Sequence, residues 1–328
     1  MNFLLTGGAG FVGSNLARTL QQRYPDARIV IVDDFRSGTF ANLCPERDCD
    51  GPGVWSFAGQ VVARPLHDFD LDHLLSTFEP DVIFHQASIT DTTVDDQAKM
   101  IHDNVEPFEK LIAYAADAEC RLVWASSAAT YGTLANGAMA ERRPFRLEDA
   151  GHPANVYGFS KWMMENIHRE ALEAMPDMHI VGLRYFNVFG PGEAHKGKMA
   201  SMIYQITQQM LAGKRPRVFT DGTQARDQIH VDDVVAANLA AAADDATPGI
   251  YNVGAGVATS FNDIIDALNE ALNTELAPDY FDNPYSFYQD YTCADISETQ
   301  TGLNWTPQRN PREAIIAYAQ TLAAADKK

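Results

Sequence analysis

The sequence predicts an α/β fold: a doubly wound parallel sheet with helices on both faces, followed by a smaller mixed α/β lobe. Three observations predict it. Short apolar runs recur along the first half of the chain, each ending in small or polar residues. Long stretches of helical periodicity separate them, as a parallel sheet with crossover helices requires. After about residue 191 the alternation breaks into shorter strands and helices. Runs that are apolar throughout, rather than alternating, belong to strands buried on both faces.

The elements follow in order. NFLLT (2–6) is a first strand, then GGAGFVG, then an amphipathic helix to about Arg23. ARIVIVDD (27–34) is a second buried strand ending in two aspartates, and DVIFHQA (81–87) and RLVWASS (121–127) repeat the pattern. HIVGLRYFNVFG (179–190) does so once more, with helical patterns at 94–117 and 156–174 between. Beyond it come RVF (217–219), an alanine-rich helix at 236–243 and IYNV (250–253). The expected organisation is a dinucleotide-binding domain over 1–190 and a lobe over 191–328, interleaved rather than linked. Ligands of such sheets collect at the carboxyl ends of the strands. The chemically informative residues sit there: Gly7 to Gly13, Asp33, His85, Ser126, Ser127 and Asn187.

Composition excludes several functions. A formal charge of −19 opposes binding to nucleic acid, whose phosphates would be repelled. No run of 18 apolar residues spans a membrane, and the N-terminus lacks the charged and small-residue features of a secretion signal. Four cysteines (Cys44, Cys49, Cys120 and Cys293) show no metal-ligand spacing, and Cys44 and Cys49 in the loop CPERDC read as lone thiols. The expectation is a cytoplasmic protein without a metal, with a small-molecule partner.

GGAGFVG places Gly7, Gly10 and Gly13 between a strand and a helix, with Phe11 and Val12 inside the turn. Glycines let the backbone approach a pyrophosphate, which the helix N-terminus stabilises. Asp33, twenty residues after Gly13, can accept the ribose hydroxyls of an adenosine. Asp33 and Asp34 repel a 2′-phosphate whereas Arg36 attracts one, so NAD is expected over NADP. Against that background HPANVYGFSKWMMENI (152–167) acquires a meaning, because Tyr157 and Lys161 lie one helical turn apart. A phenol whose pKa is lowered by an ammonium, with the Ser127 hydroxyl at a strand end, is equipment for alcohol oxidation by hydride transfer.

TGGAGFVGSN, SSAATYG (126–132), VYGFSK (156–161), RYFNVFGPG (184–192) and RDQIHVDDV (226–234) occur in the order found in the extended short-chain dehydrogenase/reductases. The chain resembles that family over nearly its whole length. The resemblance implies a Rossmann-like domain, an NAD(P)-dependent epimerase or dehydratase acting on a nucleotide sugar, and assembly as a homo-oligomer. It implies Ser127, Tyr157 and Lys161 as the catalytic set. It also places Asn104 near the lysine, and His85, Ala87 and Ser126 beside the cofactor. On the residues alone, Asn104 reads equally as a buried hydrogen-bonding residue, and His85 as a strand-end histidine satisfied by backbone.

Family dehydratases carry an Asp-Glu pair after the serine strand, where this chain has Ala128 and Ala129, so epimerisation is expected instead. EAHKGKMASMIYQI (193–206) and YQDYTCAD (288–295) are similar to the ADP-glycero-manno-heptose 6-epimerase subfamily. That likeness implies Lys196 as a second proton-handling residue, and Asn187, His195, Ser201, Arg226 and Tyr288 as substrate contacts with Ser127 and Lys196. Lys196 also reads as a loop lysine that binds a substrate phosphate or nothing. The loop at 44–53 and the segment QVVARPLHD depart from the subfamily, and Phe287 stands where an arginine is usual. Arg226 is thereby the main diphosphate candidate, with Lys196 or Lys198. The competing readings are a UDP-hexose 4-epimerase and a non-catalytic dinucleotide sensor.

Overall fold

A computed structural model describes residues 1–44, 57–133, 137–283 and 288–326. Cys49, most of the 44–53 loop and Phe287 lie outside the described residues. The strands are β1 (Asn2–Thr6), β2 (Arg28–Val32), β3 (Gln60–Val62), β4 (Val82–His85), β5 (Arg121–Ser127) and β6 (Ile180–Tyr185). They continue with β7 (Asn187–Phe189), β8 (Arg217–Phe219), β9 (Ala225–His230), β10 (Gly249–Val253), β11 (Ala258–Ser260) and β12 (Asp279–Phe281).

Seven strands form one sheet in the order β10-β6-β5-β4-β1-β2-β3, every pair parallel. The order reverses direction between β1 and β4, which opens a crevice at their carboxyl ends. Alternate side chains go to opposite faces, and both faces are covered. Phe3, Leu5, Ile29 and Ile31 pack with Leu16 and Leu20 of the Phe11–Arg23 helix and Val234 of the Val231–Ala241 helix. Leu4, Val30, Ile83, Leu122 and Trp124 pack on the other side, with Phe108, Leu111 and Met164. A separate cluster around Ile206, Ile264, Leu268 and Ile315 forms the core of the smaller lobe. β11-β9-β7 and β12-β8 are its sheets.

Three sequence expectations are refined. The apolar stretch 179–190 is two strands in two sheets. It breaks at Phe186, whose N–H turns to the Val253 carbonyl, and continues as β7 beside β9. IYNV, grouped by position with the later lobe, is β10, the edge strand of the large sheet, where pairing with β6 buries Tyr251 and Val253. The 94–117 helix is interrupted by a π turn at Ile101–Val105. There the Asn104 side chain accepts from Ile89 N (2.7 Å) and donates to Ser160 Oγ (3.1 Å), tying the β4 loop to the Val156–Ala174 helix.

Trp124 sets the spacing of the second layer. Its indole lies over β6, where a Cβ on Gly182 would stand 2.9 Å from the ring, so that position admits only glycine. Its Nε1–H donates to His168 Nδ1 (2.9 Å) inside the core. Trp124→Ala is expected to destabilise the fold by about 3–5 kcal/mol, with a contribution from the orphaned imidazole. Urea denaturation monitored by circular dichroism measures it. A loss below about 1 kcal/mol contradicts this packing role.

Candidate active site

The glycine-rich turn is a close-contact device. Gly7 has φ +70° and its amide donates to Val32 O (2.8 Å), and Gly10 N donates back to Gly7 O (3.2 Å). A Cβ at Gly13 would stand 2.1 Å from Gly7 O, and one at Gly7 would stand 2.6 Å from Ala87 N. Only glycine permits the first helix to start this near β4. Asp33 leaves β2 with Oδ2 accepting from Ala9 N (2.9 Å) and Oδ1 from Phe35 N (2.8 Å). Burial, the largest influence on Asp33, raises its pKa against those bonds.

The crevice over the switch point is a cleft of about 590 Å³. It gathers Gly7, Gly10, Phe11, Val12, Gly13, Asp33, Asp34, Arg36, Ala87, Ser126, Ser127, Tyr157, Lys161, His195 and Lys196. His85 and Asn104 do not line it. Both are buried behind the wall, where His85 Nδ1 meets Thr6 Oγ1 (2.7 Å) and Asn104 braces the Ile89 loop. Asn187, Ser201, Arg226 and Tyr288 do not line it either. Asn187 Nδ2 donates to Asp227 O (3.1 Å), and Ser201 caps the Met202–Leu211 helix while donating to Glu193. The Arg226 guanidinium lies 4.8 Å from the Tyr288 ring centroid and donates to Ala225 O. Residues that sequence reasoning passed over also border the cleft, among them Arg64, Gln86, Ser88, Asp103 and Tyr185. Gln86 and Ser88 were within reach of the strand-end rule, because they directly follow β4.

At the chemical end, Asn155 caps the Val156–Ala174 helix by accepting from Gly158 N (2.7 Å). A Cβ on Gly158 would meet Ala129 O at 2.7 Å, so the helix presses its first turn against the segment after Ser127. Two tyrosines border the cleft here. The Tyr185 hydroxyl is bonded to Gln86 (3.0 Å) and to Asn238, whereas the Tyr157 phenol meets the Ser127 hydroxyl. One phenol is tied down; the other faces a small hydroxyl.

The expected lowering of the Tyr157 pKa is not what this arrangement produces. Burial dominates and raises it, with the Ser127 contact opposing. Lys161 instead points Nζ at the Ala125 carbonyl (2.7 Å), and burial lowers its pKa to about 7 against the Glu165 charge. His85 is pushed down to about 3 by burial and then by Lys161, so it stays neutral. Lys196 is half-buried, its Nζ 5.4 Å from the Phe11 ring centroid. Burial draws its pKa down while Glu193 opposes. His195 Nδ1 sits 3.0 Å from Asn42 Nδ2.

The groups present fit a nicotinamide dinucleotide: a glycine turn for a pyrophosphate, a carboxylate for ribose hydroxyls, and a hydroxyl–phenol–amine set farther along. Arg36 is bound on both sides by Asp34 and Asp103. Burial would raise Asp103, but bonds from Lys99, Arg36 and His102 hold it well below the carboxylate range. His67, His102 and Asp103 bring ligand atoms within 4.8 Å of one another, yet Lys99 and Arg36 already bond that carboxylate. Three carboxylates at this end repel a 2′-phosphate and leave Arg36 no charge to offer it. NAD is therefore expected to bind more tightly than NADP, and Asp34→Asn to narrow the gap about tenfold, roughly 1.4 kcal/mol. Calorimetric titration of both dinucleotides is the check, and tighter NADP binding by the unaltered protein contradicts it.

The sequence model of the NAD dependent epimerase/dehydratase family matches residues 3–254. An ADP-L-glycero-D-manno-heptose-6-epimerase of Brachyspira hyodysenteriae is 33% identical over 97% of this chain and 97% of its own. The crystal structure of the Helicobacter pylori ADP-L-glycero-D-manno-heptose-6-epimerase superposes with a TM-score of 0.84 at 35% identity, covering 98% of this chain and 96% of that one. A UDP-N-acetylglucosamine 4-epimerase from Methanobrevibacter ruminantium M1 gives a TM-score of 0.85 at 25% identity, with coverages of 99% and 98%. With its glycine turn, its acidic second strand and this likeness along its length, the chain belongs to the NAD dependent epimerase/dehydratase family.

Proposed function

We propose that the protein inverts C6 of an ADP-glycero-manno-heptose by transient oxidation to a ketone and re-reduction. The observation that carries this reading is one cleft bordered by Ser127, Tyr157, Lys161 and Lys196 together with the dinucleotide turn. The 33% and 35% identities to heptose 6-epimerases support the choice of sugar. Three cysteines without disulfides, Cys44, Cys120 and Cys293, and the absence of a membrane-crossing helix among the described residues are consistent with a cytoplasmic enzyme.

NAD, which the glycine turn and Asp33 would hold, would supply the hydride acceptor and donor for C6. Tyr157 takes the proton of the C6 hydroxyl, with Ser127 hydrogen-bonded to the same oxygen. Lys161, one turn along the same helix face, supplies the positive charge that favours the phenolate over the raised pKa burial imposes. The two residues after Ser127 are Ala128 and Ala129, so no carboxylate there performs elimination. C6 lies outside the ring, and the ketone turns about a single bond between the half-reactions. Its oxygen then leaves Tyr157 and needs a second proton donor. Lys196, brought toward neutrality by burial, fills that role.

Tyr157→Phe is expected to lower turnover at least about a hundredfold with NAD still bound. Proton NMR of the purified protein with ADP-heptose and with UDP-galactose decides the substrate. Inversion of UDP-galactose alone, with ADP-heptose untouched, would make the protein a ring 4-epimerase. Lys196→Met is expected to abolish epimerisation while hydride exchange with one C6 epimer persists. A change in the Michaelis constant alone would make Lys196 a phosphate anchor instead.

A further inference from the structure

The first turns of the catalytic helix sit above a buried charge that no step of the proposed chemistry uses. Glu165 is fully buried, one turn beyond Lys161 on the same helix face. Its Oε1 accepts from Ser126 Oγ (2.7 Å) and from Arg184 Nε (2.7 Å). Its Oε2 accepts from Arg184 Nη2 (2.8 Å) and from Arg169 Nη2 (2.8 Å). Arg184, 1% exposed on β6, sends its remaining guanidinium nitrogen to the Tyr131 hydroxyl and the Leu147 carbonyl. A buried ion pair of this kind is costly to desolvate, and packing alone would be served as well by apolar side chains.

We propose that Glu165 is a positioning residue for the catalytic pair: through Ser126 it fixes the end of β5 where Ser127 stands, and through its charge it holds Lys161 as an ammonium. This rests on the catalytic reading of Tyr157 and Lys161. Two buried cations, Lys161 and Arg184, lie next to this one carboxylate. Glu148, paired with Arg146, borders the outer pocket beside Arg169 and Arg184; the buried titratable groups around them add no charge. Burial keeps His85 and His168 near 3, hence neutral, and pushes Tyr131 to about 12. Tyr157 is likewise raised by burial. Arg184 and, at the partly exposed edge, Arg169 compete with Lys161 for the carboxylate. Loss of the Glu165 charge leaves Lys161 beside Arg184 with no counter-ion, and loss of the Arg169 charge has the opposite effect.

The test is an NMR titration of protein labelled with 13Cε-lysine, with the Lys161 signal assigned by its disappearance in Lys161→Met. Glu165→Gln is expected to lower the Lys161 midpoint by about one pH unit or more, Arg169→Gln to raise it, and Glu165→Asp to stay near the unaltered value. The alkaline limb of the kcat–pH profile should move in the same directions, whereas a merely structural loss lowers kcat equally at all pH. If Glu165→Gln does not fold, Arg169→Gln decides, since Arg169 is 39% exposed. Midpoints unchanged in every variant that folds overturn the inference. Shifted midpoints support it even where Tyr157→Phe retains full turnover, a result that would overturn only the catalytic reading.

Discussion

The site depends on how closely the Val156–Ala174 helix approaches the carboxyl end of β5. Parallel strands with crossover helices normally keep a full side-chain layer between helix and sheet. Here Gly158 removes that layer at one point, with its Cα against the Ala129 carbonyl, and Asn155 stops the helix there by capping it. Tyr157 thereby reaches Ser127, and Lys161 reaches the Ala125 carbonyl. A larger residue at 158 would lift the helix and separate the phenol from the hydroxyl. Asn104 and Ser160 fix the same helix from the other side, through the π turn that brings Asn104 inward.

Charge is arranged by position rather than by amount. The chain carries −19 overall, yet the chemical end of the cleft holds Lys161 and Lys196 without an adjacent carboxylate on the cleft wall. Of the cleft's four acids, Asp33, Asp34 and Asp103 gather at the end where Arg36 is bound, and Asp91 lies on the loop after β4. The net charge opposes polyanions, whereas the local cations suit the single anionic substrate of the proposed reaction. Burial lowers the pKa of both lysines, that of Lys161 to about 7, where an amine exchanges protons near neutral pH.

Much of this was legible in the sequence. The parallel sheet, the dinucleotide turn and the Tyr157–Lys161 pair follow from local patterns: apolar runs of strand length, glycines at fixed offsets, and a spacing of one helical turn. What escaped was set by distant partners. Glu165 reads as an ordinary polar residue on an amphipathic helix, and only the arrival of Arg184 from β6 makes it a buried anion. Tyr185 and Asp103 border the cleft because of where the strands and the π turn end, which periodicity does not report. Arg226, Tyr288, Asn187 and Ser201 were read from motif likeness, and their side chains serve contacts of the smaller lobe outside the cleft wall.

The same logic explains why Lys161 must do more here than its spacing from Tyr157 suggests. In water, an ammonium one turn from a phenol lowers its pKa by simple attraction. Buried at the cleft wall, both groups are instead shifted toward their neutral forms, the phenol's pKa raised and the amine's lowered to about 7. Two neutral partners cannot exchange a proton with an alcohol as an acid–base pair. Some fixed charge has to tip the balance toward phenolate and ammonium, and it has to lie on the lysine's side, since an anion beside the tyrosine would oppose its ionisation. A carboxylate one turn farther along the helix, distant from Tyr157 but next to Lys161, meets that condition, and the guanidiniums of Arg169 and Arg184 hold it in place by hydrogen bonds.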